Sequence, residues 1–554
     1  MPRDLLDRLD EWKSRFGPGG AGQLERLLAA VARRRFTDPG ALIRLHETVL
    51  FLRAYARNGE VARLADAVLF SFADRIGELR AAGADLSAFE EPEVSGIAGA
   101  SLSAVFSYEV ARRLAVRHKR QLEIDWERYD EAEKLGPVLW RFLPLLEEDW
   151  PVEAHVPFRD WIWAAKRRGV SDLGWLLERL AGLPLTVRGQ AELYESLGLP
   201  LSWQWGDSSV SRSRLRLPGP RPYYHEQPLL RRGDVSLRRE LDGPALPLTR
   251  LSRPAARKML DLILDTSATR FRELYGFTHP DERGVFRVDA GRGVEIFFFG
   301  TPPEWRLPLR AYHAGLFFKN GVPAGYVEVL SLFERAEVGF NLYYTFREGE
   351  SAWIYARLLR LFRQTLGVSC FSVDPYQIGH ENEEAIDSGA FWFYRKLGFR
   401  PVDPGIPQLA EREESRMRKT PGYRCSKRTL EALARGYLLF EGSAAGQGTW
   451  DRFRVRNLGL AVERAMAERF GGDPGKMRRA ARLQVARALG VESASDLTLV
   501  LSLIPDLARW TQEEKLALAK ILRAKERAGE ARYLRLMQRH ARLRAAFLKL
   551  GSSV

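Results

Sequence analysis

The sequence predicts a mixed-sheet α/β (α+β) domain flanked by N- and C-terminal α-helical domains, and three observations carry the prediction. Apolar residues recur with a helical period through about the first 200 positions, switch to a period of two beyond Arg287, and return to a helical period after Pro404. Two strand-like runs, HAGLFFK and AGYVEVLSLF, are separated by a turn at Asn320-Gly321, the strongest short hairpin signal. Helix, strand, helix and strand then alternate between Arg347 and Phe399. The implied domains are a helical 1–200, an Arg/Pro-rich linker 201–255, the α/β domain 256–405 and a basic helical 406–554.

In chain order, ALIRLHETVLFLRAY places Leu42, Leu45, Val49 and Leu52 on one helical face, which implies a buried seam. Trp140, Trp150, Trp161 and Trp163 are read as helix core rather than a ligand platform. From Ser202 to Arg253, Pro, Gly, Ser and Arg accumulate and helical period is lost, the pattern of a linker. VEIFFFG adds a strand, and AEVGFNLYYTF sets Val338, Phe340, Leu342, Tyr344 and Phe346 against Glu337, Gly339, Asn341, Tyr343 and Thr345. A helix ending at Gly367, a strand VSCFSVDP and a helix ending at Gly398 follow. Thr511 and Glu514 form a capping box, and Gly529 divides the helical run that it opens.

Composition bounds the function. The chain has 554 residues, 45% hydrophobic and 28% charged, which allows large cores and excludes disordered and fibrous classes. Its apolar stretches, such as 497–505, fall short of the roughly 18 residues that a spanning helix needs. The acidic start MPRDLLDRLDEW lacks a signal-peptide core, and Cys370 and Cys425 are too few for a disulfide framework. These features lead us to expect a cytoplasmic protein with no membrane association. Lys+Arg number 86 against 71 Asp+Glu, a formal +15, and residues 441–554 hold 22 basic and 12 acidic residues. Segment 212–239, with arginines around Tyr223 and Tyr224, and the basic tail 441–554 therefore suggest nucleic acid as a partner; a solvated linker is the simpler explanation of the first.

The stretch Asp387 to Phe399, DSGAFWFYRKLGF, resembles the late motif of the GNAT superfamily of acyl-CoA N-acyltransferases, Asn-x-x-Ala-x-x-x-Tyr-x-Lys-x-Gly-Phe. Ala390, Tyr394, Lys396, Gly398 and Phe399 occupy their places, and Asp387 stands where Asn is usual. A second family signature, Arg/Gln-x-x-Gly-x-Gly/Ala, aligns with Arg347 to Ala352, with Gly349 one place early and Glu350 in the glycine slot. The resemblance covers about a fifth of the chain. It implies a GNAT-like acyltransferase that moves an acetyl group, or another acyl group, from acetyl-CoA or another acyl-CoA to an amine of a small molecule or protein.

By that resemblance Tyr394 protonates the departing thiolate, Tyr343 to Thr345 hold the acyl carbonyl through backbone N–H groups, and Arg347, Gly349, Glu350, Ser351, Ala352 and Asp387 contact the cofactor. The attacking amine must lose a proton, so Glu337 and Glu328 are the candidate bases; His380 and Glu384 edge the acceptor cleft. His380-Glu381-Asn382-Glu383-Glu384 lacks the two-His spacing of a helical zinc site, so no metal is expected. Glu350 is read either as repelling a diphosphate or as complementing the helix dipole without any cofactor. Two other functions fit the same sequence: a non-catalytic GNAT-like scaffold that binds nucleic acid, and a transferase that takes its aminoacyl group from tRNA.

Overall fold

The computed structural model describes residues 4–17, 19–130, 132–145, 158–206, 208–217, 222–442 and 447–552. The chain is mixed helix and sheet, and it divides into two compact units rather than the four segments expected. Unit 1 comprises 1–228, 254–278 and 319–323; unit 2 comprises 229–253, 279–318 and 324–554.

Unit 1 opens with helices, among them Pro39–Ala54, in which Leu42, Leu45, Val49 and Leu52 are fully buried as their spacing requires. It is not all helical. Strands β1 (Ser101–Val105), β2 (Leu122–Ile124) and β3 (Pro200–Gln204) form an antiparallel sheet in the order β1-β3-β2. Each alternates buried and less buried positions over only three to five residues, too short to register against a helical background. The tryptophan reading also needs correction, because Trp140 and Trp163 are 52% and 47% exposed. Trp161 is half-buried, and Trp150 lies outside the described residues.

Unit 2 is built on a nine-stranded sheet in the order β11-β12-β10-β9-β8-β7-β6-β5-β4. Its strands are β4 (Leu248–Arg250), β5 (Phe286–Gly291), β6 (Val294–Gly300), β7 (Ala311–Lys319), β8 (Val322–Leu332), β9 (Arg335–Leu342), β10 (Cys370–Val373), β11 (Arg400–Pro401) and β12 (Leu438–Glu441). The turn of the β7–β8 hairpin is as expected: Asn320 and Gly321 take φ of 48° and 79°. A Cβ at Gly321 would stand 2.6 Å from the Leu217 carbonyl, so the position needs glycine twice over. That tip, 319–323, groups with unit 1.

Three boundaries move for identifiable reasons. β4 and β12 come from segments read as linker and helical tail, yet they pair with β5 and with β10 and β11. The tail is therefore not a separate domain. Gln538 Nε2 donates to the carbonyls of Phe333 and Leu366 at 2.9 and 3.0 Å, tying the Glu530–Gln538 helix to the sheet and to the Ser351–Leu366 helix. Helix Arg253–Ala268, expected in the α/β domain, belongs to unit 1 apart from its first residue. The capping box at Thr511 and Glu514 forms with both reciprocal bonds, and the chain breaks at Gly529.

Candidate functional site

The site begins where β9 and β10 part. They pair in parallel over three positions, Arg335 with Cys370, Ala336 with Phe371 and Glu337 with Ser372. β9 then continues to Leu342 paired with β8 alone, so the edge of residues 338–342 has no strand beside it. Such an edge offers N–H and C=O groups to an extended ligand. The alternation read through Phe346 stops at Leu342: residues 344–346 form a 3₁₀ turn that leaves Tyr344 exposed. Tyr343 and Thr345 are therefore off the strand, and the Tyr343 N–H donates to Ala324 O at 2.9 Å. That donor is committed to the fold and does not serve an acyl carbonyl.

From this turn the chain enters the Ser351–Leu366 helix, which packs on the face of β9 that carries Phe340. Rings run in contact from Phe340 to Tyr355 (centroids 5.1 Å), from Tyr355 to Tyr394 (5.5 Å) and from Tyr394 to Phe399 (5.7 Å). Tyr394, on the short Ala390–Arg395 helix, thus lies one ring from the strand where the sheet parts. It is 3% exposed, and burial holds its hydroxyl far above the ordinary phenol range, so it stays a neutral proton donor.

The opposite face of β8 and β9 holds both candidate bases, in different settings. Glu337 accepts a hydrogen bond from Arg310 at 3.0 Å and is fixed as half of an ion pair. Glu328 accepts from the Tyr312 hydroxyl, and burial raises its carboxyl above the ordinary value. It stands opposite Gly339, where no side chain intervenes; a Cβ there would meet the Gln377 amide only at 3.7 Å. A carboxyl raised above its ordinary value by burial, with only a neutral phenol bonded to it, has the character of a proton acceptor. Glu328 and Tyr394 face opposite sides of β9.

At the start of the helix, Glu350 is fully buried and neither caps the helix nor faces solvent. Arg292 Nε donates to its two oxygens at 2.9 and 3.2 Å, and the Leu230 N–H adds a third bond at 3.2 Å. Both readings of Glu350 are corrected: the distant Arg292 neutralises it, so its charge does not oppose an anion at the helix N-terminus. Gly349 and Ser351 are half-buried there, and Ala352 is buried. Arg347 is exposed and ion-paired with Glu384, which joins the loop after β9 to the Glu383–Asp387 helix after β10. His380 and Asp387 are both exposed.

Three cations that spacing did not bring together influence one another electrostatically. Lys396 is held below its ordinary value, first by burial and then by the nearby charges of Arg232 and Arg424. The turn Arg232–Asp234 itself packs against the Ser351–Leu366 helix. Arg232 and Lys396 were visible as a linker arginine and a motif lysine, but no local pattern singles out Arg424.

The arginine-rich segment is less available than its composition suggested. Arg212 is 3% exposed and bonds Glu47 at 2.8 Å, Arg214 donates to Phe70 O at 3.3 Å, and Arg216 pairs with Asp66 at 2.5 Å. Arg221 lies outside the described residues. Among the described residues no group of three or more His, Cys, Asp or Glu is placed to hold a metal ion, and no helix is long and apolar enough to cross a membrane. No protein-family model, curated protein or solved structure matches the chain.

Proposed function

We propose that unit 2 is an acyl-thioester-dependent N-acyltransferase of GNAT type, using acetyl-CoA or another acyl-CoA. The observation that carries this reading is the parting of parallel β9 and β10 beside Tyr394, with the Ser351–Leu366 helix starting just beyond β9. The free edge at 338–342 suits the amide-bearing arm of coenzyme A, and the helix N-terminus with Arg232, Lys396 and Arg424 suits its phosphates. Withdrawal of Glu350 against Arg292 removes the repulsion that would otherwise oppose a diphosphate.

In the reaction the amine nitrogen attacks the thioester carbonyl from the Glu328 face. Glu328 takes the proton that the nitrogen sheds, the C–S bond breaks, and Tyr394 supplies a proton to the departing thiolate across the gap between the strands. The products are an amide and a free thiol. Glu337 is already engaged by Arg310 at 3.0 Å, so Glu328 rather than Glu337 is assigned the proton transfer.

Calorimetric titration of the full chain with acetyl-CoA and with coenzyme A tests the reading. Micromolar binding of both is expected, weakened by Lys396→Ala. The absence of heat at several temperatures, together with no co-purified acyl-CoA, would overturn it.

A further inference from the structure

Toward the β5–β7 end of the sheet, unit 2 contains a cavity of about 670 Å³ that shares no residue with the site above. Three groups of elements form its wall: β5, β6 and β7, the last turn of the Ser351–Leu366 helix, and the first two turns of the Glu530–Gln538 helix. This volume falls in the range of about 300–1,000 Å³ that holds small organic ligands.

Its floor is apolar, with Phe286, Phe298, Leu366 and Leu536. Its rim is cationic, with Arg306, Arg532, Arg535 and Arg539. Two of these guanidiniums are anchored: Arg306 donates to Lys525 O at 2.6 Å and Arg535 to Thr365 O at 2.8 Å. The two carboxylates in the lining do not answer this charge. Asp281 is held by Arg283 at 2.9 Å, and Glu530 is closed in a buried pair with Lys525 at 3.0 Å.

Two further lining residues are polar and more than nine-tenths buried, and each has an atom without a hydrogen-bond partner: His313 Nδ1 and Thr301 Oγ1. Buried polar atoms are ordinarily satisfied, so a pair of orphans in one cavity wall marks a place where a partner is missing. His313 stacks on Phe298 with centroids 5.1 Å apart, and burial with Lys525 and Arg306 nearby lowers its pKa to about 3, so it serves as a neutral polar group. The Glu530–Gln538 helix also presents its N-terminus to the cavity through Gly529, Glu530 and Ala531, with no side-chain cap.

We infer that this cavity is a second ligand site, for a small organic anion with a carboxylate or phosphate on an apolar body. The apolar part lies on the phenylalanine floor, and the anionic end meets the arginine rim and the helix N-terminus. Neutral apolar molecules gain only the floor, and inorganic anions only the rim.

The test is calorimetry on the full chain with octanoate and 1-naphthyl phosphate, each against its neutral counterpart, 1-octanol and 1-naphthol. At least one anion is expected to bind about tenfold or more tighter than its counterpart. Binding by octanoate alone assigns a carboxylate ligand, and binding by 1-naphthyl phosphate alone a phosphoester. Arg532 and Arg539 are exposed, so R532A/R539A should keep the wild-type melting temperature and weaken the binding anion about tenfold. Ala531→Trp, which fills the cavity mouth, should abolish binding while leaving acetyl-CoA titration unchanged. Equal affinity for anionic and neutral probes, no binding of either anion at millimolar concentration, or wild-type binding by both variants would overturn the inference.

Discussion

In unit 1 the buried Arg212 meets Glu47 at 2.8 Å and the carbonyls of Glu93 and Val94 at 2.9 and 2.7 Å, whereas in unit 2 the half-buried Glu328 has a phenol for its neighbour. Around Glu47 the arrangement continues: His46 Nδ1 lies 2.9 Å from it, and His46 Nε2 lies 3.0 Å from Ser213 Oγ. A carboxylate given a full countercharge and geometry on every side is fixed as an anion and serves architecture. A carboxylate given only a neutral donor keeps its protonation open to change, which is what proton transfer requires. The same contrast recurs inside unit 2, between Glu350 against Arg292 and Glu328 against Tyr312. Residue type does not separate these carboxylates; their partners do.

The contrast is broken most severely by removing a partner wholesale. A chain truncated after Gly442 loses Tyr533, Leu534 and Met537, all fully buried, together with the Gln538 bonds to the sheet. Such a chain is expected to lose cooperative unfolding in a thermal scan, and a stable unit 2 with its own sharp transition would show that the tail is separable. Next comes Arg212→Met, which removes the Arg212 cation from the buried Glu47. It should cost about 3–5 kcal/mol in denaturant unfolding; a loss below about 1 kcal/mol would mean that the pair is solvated.

Tyr394→Phe should lower kcat about 10²-fold or more with any acceptor that supports turnover, while coenzyme A affinity stays within about twofold. An unchanged kcat would return Tyr394 to the aromatic core. The smallest effect sharpens the contrast most. Burial raises the Glu328 carboxyl above its ordinary 4.5, so the protonated form stabilises the fold below that value, and the contribution is lost as pH rises through the folded-state pKa. Glu328→Gln, which keeps an acceptor for Tyr312, should therefore melt higher than wild type at pH 7 and match it below pH 4.5. A variant less stable than wild type at pH 7 would show that Glu328 is held by more than the phenol. Matching Arg310→Gln should act in the reverse sense, destabilising at pH 7 by leaving Glu337 half-buried without its cation.

By itself the sequence determined what depends on neighbours a few residues apart. The Asn320-Gly321 turn, the strands that it joins, the helix end at Gly367 and the Thr511 capping box follow from φ preferences, apolar period and local hydrogen bonds, whereas the helix expected to end at Gly398 stops at Arg395. Tyr394 and Glu328 were nameable in the same way, one from a motif and one as a carboxylate on the strand before that of Glu337. Only the tertiary structure decided where β9 stops beside β10, that β12 inserts into the sheet, and that Glu350 faces Arg292 rather than a diphosphate. Those features join residues far apart in the chain: 58 positions between Arg292 and Glu350, 165 between Glu47 and Arg212. No local period or cap records such a pairing, because burial chooses the partner only after the elements have packed.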